Sequence, residues 1–349
     1  MSYQGRKVLI TGGLGFIGSN LAIRAVELGA RVTIADSSVE GCGANQHNIA
    51  PIRDRVEVIP MDIGSASQFA GQIAEADVIF NLAGEISHVH SMQFPERDLE
   101  INTVSQLRFL NVCKRVSPGV RIVYAGTRQI YGVPESLPVN ELHPINPVDF
   151  NGVHKYAATM YHLMLSRSRH LDAAVLRLTN VYGPRMALDI PCQGFLSTFL
   201  RRMISGQELE IYGDGQQLRD LVYIDDVVDA FLRTGAARRL ESRTYNVGGP
   251  EALPVAEIAR TCSQAAGNVP LVWRPFPKEQ KEIDIGSYYA DWTRIRRELG
   301  WKPEVTFSEG IRRTLAYYHA ELQHYLDPSE PPTCQLVEHK GVSRRLVLV

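Results

Sequence analysis

The chain is poor in cysteine, with five among 349 residues: Cys42, Cys113, Cys192, Cys262 and Cys334. They are scattered, odd in number and never spaced as C-x-x-C. A disulfide framework or a cysteine zinc site is therefore not expected, and a reducing, cytoplasmic compartment fits better. Long apolar runs are missing as well, so no membrane span is expected. The formal net charge is −1, and no global field draws the chain to nucleic acid or an acidic membrane. Internal repeats and long low-complexity stretches are absent. No carboxylate–histidine pattern surrounds His88 and His90, so these read as structural or substrate-lining side chains and no metal is expected. The opening MSYQGRKVLITGG runs almost directly into a strand, without the apolar core of a secretory signal.

What is present is alternation. Apolar β-type runs at Lys7–Thr11, Arg31–Ala35, 56–60, 78–82, 121–125 and 174–178 are separated by helical patterns such as 17–28 and 99–116. This predicts an α/β fold: a Rossmann-type, doubly wound parallel sheet, with ligands outside the carboxyl ends of its strands. After about residue 180 the rhythm breaks into short strands and helical segments such as 195–205 and 256–266. The expected organisation is a nucleotide-binding domain over 1–179, with 217–245 returning to it. A smaller α/β substrate domain covers 180–326, and 327–349 form a tail.

The segment VLITGGLGFIGSNLAIRAVELGARVTIAD reads as strand, glycine turn, helix, strand and acid. Gly12 permits the tight turn, Gly15 lets backbone approach a pyrophosphate, and Gly18 lets helix pack on strand. The helix N-terminus, with Phe16 and Ile17, faces the negative charge. Asp36 ends the second strand, where its carboxylate can accept from both adenosine ribose hydroxyls and would repel the 2′-phosphate of NADP. NAD is the cofactor this pattern predicts.

The spacing G-x-x-G-x-x-G resembles the short-chain dehydrogenase/reductase superfamily. Later segments resemble its extended branch, the nucleotide-sugar epimerases and dehydratases. They are Asp62-Ile63, Asn81-Leu82-Ala83-Gly84, Asn102, Tyr124–Gly132, RLTNVYGPR at 177–185, YGDGQQLRDLVYIDDVVDA, YNVGG and ADWTRIRRELGWKP. The resemblance spans residue 6 to about residue 320. It implies that Asp62 and Ile63 flank the adenine. Leu82, Ala83 and Gly84 line the pyrophosphate and nicotinamide ribose, Asn102 belongs to the cofactor set, and Lys155 holds the ribose hydroxyls. Thr127 matches the catalytic Ser/Thr that hydrogen-bonds the sugar oxygen. Asn180, Arg185, Arg219 and Lys281 fall where relatives hold a nucleotide diphosphate, a group that needs convergent cations.

The pattern breaks at one place. The family's catalytic Tyr-x-x-x-Lys, with a proline four residues ahead, here reads Pro147-Val148-Asp149-Phe150-Asn151-Gly152-Val153-His154-Lys155. Asn151 stands where tyrosine would, and an amide cannot take a proton from a sugar hydroxyl near neutral pH. His154 titrates in a suitable range, and Lys155 could serve if desolvated. The Asp-Glu pair that follows the catalytic Thr in dehydratases is also missing, replaced by Arg128 and Gln129. Two readings from different classes stay open. One is an NAD-dependent nucleotide-sugar epimerase, acting at C4, with a rearranged base and with a dehydratase as its enzymatic alternative. The other is a non-catalytic NAD-binding sensor or scaffold. The expected partners are a nucleotide-diphosphate sugar and a second copy of the chain. Their contact would run through the helices near 99–116 and 152–166, with Leu107, Leu110, Tyr161 and Leu165 at helical spacing.

Overall fold

A computed structural model describes residues 2–39, 42–188, 190 and 194–326. The expected tail, 327–349, lies outside the described residues. The six expected strands form, as β1 (Lys7–Thr11), β2 (Arg31–Ala35), β3 (Val56–Ile59), β4 (Val78–Asn81), β5 (Arg121–Thr127) and β6 (Asp172–Leu178). A seventh, β10 (Thr244–Val247), joins them in the order β10-β6-β5-β4-β1-β2-β3, every pair parallel. Between these come β7 (Asn180–Tyr182), β8 (Leu209–Tyr212) and β9 (Leu218–Tyr223), and after them β11 (Ala252–Pro254) and β12 (Leu271–Arg274). These make two small sheets, β11-β9-β7 and β12-β8. Of the segment 217–245, the helix Ile224–Ala236 and the start of β10 lie with the large sheet, while β9 pairs in a small one.

The central strands carry apolar side chains on both faces, as burial on both sides demands. Val8, Ile10, Phe80, Val123 and Leu176 pack with Leu21 and Ala25 of helix Phe16–Glu27 and with Val227 and Phe231 of helix Ile224–Ala236. On the other face Leu9, Ile79, Ile122 and Ala173 meet Phe109, Leu110 and Leu165. Among the described residues no helix is long and apolar enough to cross a membrane.

The helical pattern over 99–116 is not one helix. A short helix, Pro95–Leu99, passes through a wide π-type turn, Glu100–Val104, into helix Ser105–Val116. The wide turn holds Asn102 and Thr103 inward, both buried.

At the bottom of the sheet, Asp172 on β6 clasps Arg121 on β5 (Oδ2 to Nε, 2.6 Å) and Arg243 just ahead of β10. Arg121 also donates to the carbonyls of Thr234 and Ala237 at the end of helix Ile224–Ala236. Burial would raise the Asp172 carboxyl, but the hydrogen bonds from Arg243 and Arg121 outweigh it and hold the group below its usual value. Stabilisation from such a depressed acid is present above its unfolded value of about 3.9 and is lost as pH falls through the folded one. Asp172→Asn is expected to lower thermal stability at neutral pH by on the order of 1 kcal/mol and to flatten the loss of stability below about pH 4. Identical melting curves for the two proteins at neutral and acid pH would show that the clasp adds nothing net.

Candidate active site

The site begins where β1 stops. Gly12 takes φ +68°, a left-handed conformation that favours glycine, and a Cβ there would come within 2.9 Å of the Ala83 nitrogen. A Cβ on Gly18 would run into the Gly12 carbonyl, so the helix can approach the turn only through glycine. Gly15 caps helix Phe16–Glu27 without a side chain in the way. The turn therefore exposes backbone N–H groups at a helix N-terminus, a natural anion seat. Asp36, at the end of β2, accepts from the backbone of Leu14 and Ser38, each at 2.9 Å. Burial raises its carboxyl, and those two hydrogen bonds work against the rise.

Asp62 accepts from the Gly64 nitrogen at 2.6 Å and caps the turn that starts at Ile63. Gly12, Gly15, Phe16, Ile17, Gly18, Asp36, Asp62, Ile63, Leu82, Ala83 and Gly84 all line one cleft of about 770 Å³. The size suits a cofactor and substrate site. Asn102 is different. It stands behind Gly84, donating to the Glu85 carbonyl at 3.0 Å and accepting from the Glu85 nitrogen at 3.2 Å, so it positions the loop.

Helix Phe150–Arg167 starts on Asp149, whose side chain accepts from the Gly152 nitrogen. It brings Asn151 and Lys155 into the cleft with Thr127. Lys155 is 6% exposed. Burial lowers its ammonium to about 8, against the pull of Asp98 and Glu85. Gly84 leaves room beside it, since a Cβ would stand 3.0 Å from Lys155 Nζ and 2.7 Å from Asn102 Oδ1 and would displace those side-chain ends.

Asn151 does not have its amide free. Nδ2 donates to the Glu85 carbonyl (3.0 Å) and to Asp98 Oδ2 (2.9 Å). Only its side-chain oxygen is left to meet a ligand. His154 is spent on the same carboxylate, with Nδ1 2.7 Å from Asp98 Oδ1, and it lies outside the cleft lining. The structure thus moves His154 from the reacting centre to its support. Asp98, 1% exposed, was not foreseen in the sequence; the signal was Pro95 opening a helix with an acid in its first turn.

Thr127 ends β5, and its Oγ1 accepts from the Gln129 nitrogen at 3.1 Å, so it caps a turn and faces the cleft at once. Its hydroxyl hydrogen stays available. Gln129 donates to Asp149 Oδ2 at 2.8 Å. Arg128 reaches Asn180 Oδ1 at 3.3 Å and stacks 5.0 Å from the Tyr288 ring centroid. Around it lies a polar pocket. Arg128 Nη1, Thr179 Oγ1, Asn180 Nδ2, Asp220 Oδ1 and Tyr288 OH are buried without a hydrogen-bond partner among the described residues. Burial lifts the Asp220 carboxyl to about 6, with the Ala290 nitrogen and Arg128 opposing.

The expected diphosphate cations divide. Arg219 lines the cleft, anchored by the Leu218 and Gly286 carbonyls, Gln217 and Asp284. Burial, then Arg128, lower it to about 10. Arg185 turns away, its guanidinium bound to the Asn48 carbonyl (3.0 Å) and Asn20 Oδ1 (2.9 Å). Lys281 is exposed on helix Lys278–Glu282, outside the lining. Arg201 and Arg202 of helix Phe195–Ile204 line the cleft instead, a pair that the amphipathic pattern of that helix could have pointed to. Among the described residues the cluster of metal-ligating types is His47, Glu321 and His324, away from the cleft.

Comparison with known proteins agrees with this geometry. The model of the NAD dependent epimerase/dehydratase family matches residues 8–248. The UDP-glucose 4-epimerase of Mycolicibacterium smegmatis is 32% identical over 321 residues, 91% of this chain and 100% of that protein. The solved UDP-glucose 4-epimerase of Thermotoga maritima, with UDP-glucose, superposes with a TM-score of 0.82 at 28% identity, covering 90% of this chain and 99% of that one. The dTDP-glucose 4,6-dehydratase of Streptomyces venezuelae, with NAD and TYD bound, gives a TM-score of 0.81 at 26% identity, covering 91% and 98%. The chain belongs to the NAD-dependent epimerase/dehydratase family of nucleotide-sugar enzymes.

Proposed function

We propose that this enzyme epimerises a secondary alcohol of a nucleotide-diphosphate sugar, at C4, by reversible oxidation. The observation that carries this reading is the continuous cleft, which joins the NAD half to Thr127, Lys155 and the polar pocket around Arg128. When bound, NAD supplies the hydride acceptor and donor. Lys155 holds ribose hydroxyls and puts a buried positive charge beside the reacting centre. The Thr127 hydroxyl donates to the sugar oxygen that becomes the ketone. Arg128, Thr179 and Asn180, which line the cleft, offer hydrogen bonds to sugar hydroxyls, and Arg219 with Arg201 and Arg202 faces the diphosphate. Elimination of water is disfavoured, because the positions after Thr127 carry a guanidinium and an amide already engaged with Asn180 and Asp149. A non-catalytic reading draws on one observation, the Asn151 amide committed to Asp98 and Glu85. Mixing the purified protein with a panel of nucleotide sugars separates the two: transient NADH absorbance supports the enzyme, and tight binding without any such signal supports the sensor.

A cytoplasmic homodimer is part of the same proposal. Leu110 and Leu165 are spent on the sheet, and Tyr161 packs against the same layer. Leu107 is exposed, and so are Met92, Phe94, Leu99, Phe150, Val153 and Met164 on the same helical layer. An apolar surface of this kind marks a partner site.

Three outcomes are expected. The native protein prefers NAD over NADP, and Asp36→Ala combined with Ser37→Arg relaxes that preference in binding titrations; equal native affinity for both cofactors would remove Asp36 from the ribose. Arg219→Ala weakens nucleotide-sugar binding by about 2–5 kcal/mol while NAD binding is kept. Unchanged affinity in calorimetry would take Arg219 out of the site. Light scattering at micromolar concentration shows a dimer that Val153→Glu converts to monomer; a native monomer would refute the interface.

A further inference from the structure

Oxidation of an alcohol needs a group to receive the hydroxyl proton. Beside the head of helix Phe150–Arg167 a second histidine lines the cleft. His88 opens helix His88–Gln93, and Ser91 of that helix accepts the Asn151 N–H at 3.2 Å. The His88 Nδ1 lies 3.0 Å from Asp149 Oδ2. Asp149 is buried and held from three sides: Oδ1 accepts from the Gly152 nitrogen (2.6 Å), and Oδ2 meets Gln129 Nε2 (2.8 Å) and His88. Burial would raise this carboxyl, but His88, Gly152 and Gln129 together hold it below its usual value. The His88 Nδ1 is buried and close to Asp149 Oδ2 but outside hydrogen-bond geometry, while the side chain as a whole is 35% exposed, so the exposure falls on the rest of the ring. His88 lines the cleft together with Thr127, Gln129, Asn151 and Lys155.

We propose that His88, oriented by Asp149, is the catalytic proton carrier that takes over from the missing tyrosine. The proposal rests on the epimerase reading above. At 3.0 Å an ionised Asp149, which only accepts, favours the tautomer with the proton on Nδ1 and the lone pair on Nε2. This is an acid–histidine pair of the kind that activates hydroxyl groups elsewhere. The contact is bent rather than collinear, as catalytic hydrogen bonds often are before substrate binds. In the forward step the sugar O–H bond breaks and an Nε2–H bond forms. The carbon–oxygen bond becomes a carbonyl as the C–H hydride leaves with its electron pair to NAD. After the ketone presents its other face, the hydride returns and Nε2 gives its proton back to the oxygen, so no oxidant is consumed.

The neighbouring titratable groups are less suited. His154 is tied to Asp98 outside the cleft. Glu85 spends Oε1 on the Ile86 and Ser87 nitrogens and Oε2 on Cys42 and Arg97. Lys155, at about 8, stays mostly an ammonium at neutral pH and suits holding hydroxyls.

The test uses the full chain with NAD and the nucleotide sugar that turns over. His88→Gln is expected to slow turnover about 10²–10⁴-fold with NAD and sugar binding unchanged in calorimetry. His88→Ala is expected to regain turnover on addition of imidazole, which a purely structural role would not allow. Independently of activity, ¹⁵N spectra of labelled histidine should show the Nδ1–H tautomer at His88, lost in Asp149→Asn. Turnover by His88→Gln at the native rate, or a slow His88→Ala that imidazole does not restore, overturns the proposal while the epimerase reading stands. Absence of native turnover with every nucleotide sugar overturns both.

Discussion

A carboxylate cannot stay buried without donors, and the site is organised around meeting that requirement at Asp98. At 1% exposure, Asp98 takes one hydrogen bond from Asn151 and one contact from His154, three residues apart on one helix face. Asn151 in turn donates to the Glu85 carbonyl, which Asn102 also holds. The loop 84–86 is thereby pinned at its backbone, and Gly84 is set against Lys155 Nζ. Removing any donor would leave a buried acceptor unmet, a loss of about 1–3 kcal/mol or more for a charge. The asparagine in the tyrosine position is thus a structural member of this network, and His154 is fixed beside it. Asn151 as an amide carries no proton near neutral pH, and His154 lies outside the cleft lining.

Much of the fold could be read from the order of residues because parallel strands buried on both faces announce themselves as short apolar runs. The expected runs at 121–125 and 174–178 fall inside β5 and β6, which are each two residues longer, Thr127 ending β5 and Asp172 opening β6. The outermost of these, Thr127 and Asp172, are polar and matter: one caps the active-site turn and the other clasps two arginines. The wide turn at Glu100–Val104 was invisible because it keeps helical composition while changing the angle per residue. That change is what aims Asn102 at Glu85 instead of at the cleft.

The glycine turn and Asp36 were legible since their chemistry is backbone geometry within one short segment. The substrate side was less so. Residue type shows that Arg185 is a cation but not which way it points, and its guanidinium is bound to Asn48 and Asn20 of the nucleotide-binding half. His88 and Asp149 are 61 residues apart, so their meeting is a product of the fold. Asp149 itself carried a local signal: an acid three residues ahead of Gly152 at a helix start is an N-cap.

The far end of the cleft closes the argument for a polar ligand. Five buried polar groups around Arg128 have no partner among the described residues. Each unmet group costs about 1–3 kcal/mol, and folded proteins do not keep several together without compensation. Opposite charges stand together there, with Arg128 and Arg219 against Asp220 and Asp284. Arg128, Thr179 and Asn180 line the cleft, while Asp220 and Tyr288 stand behind it. On the proposed function the sugar hydroxyls would meet the three that line it, with the diphosphate beside Arg219.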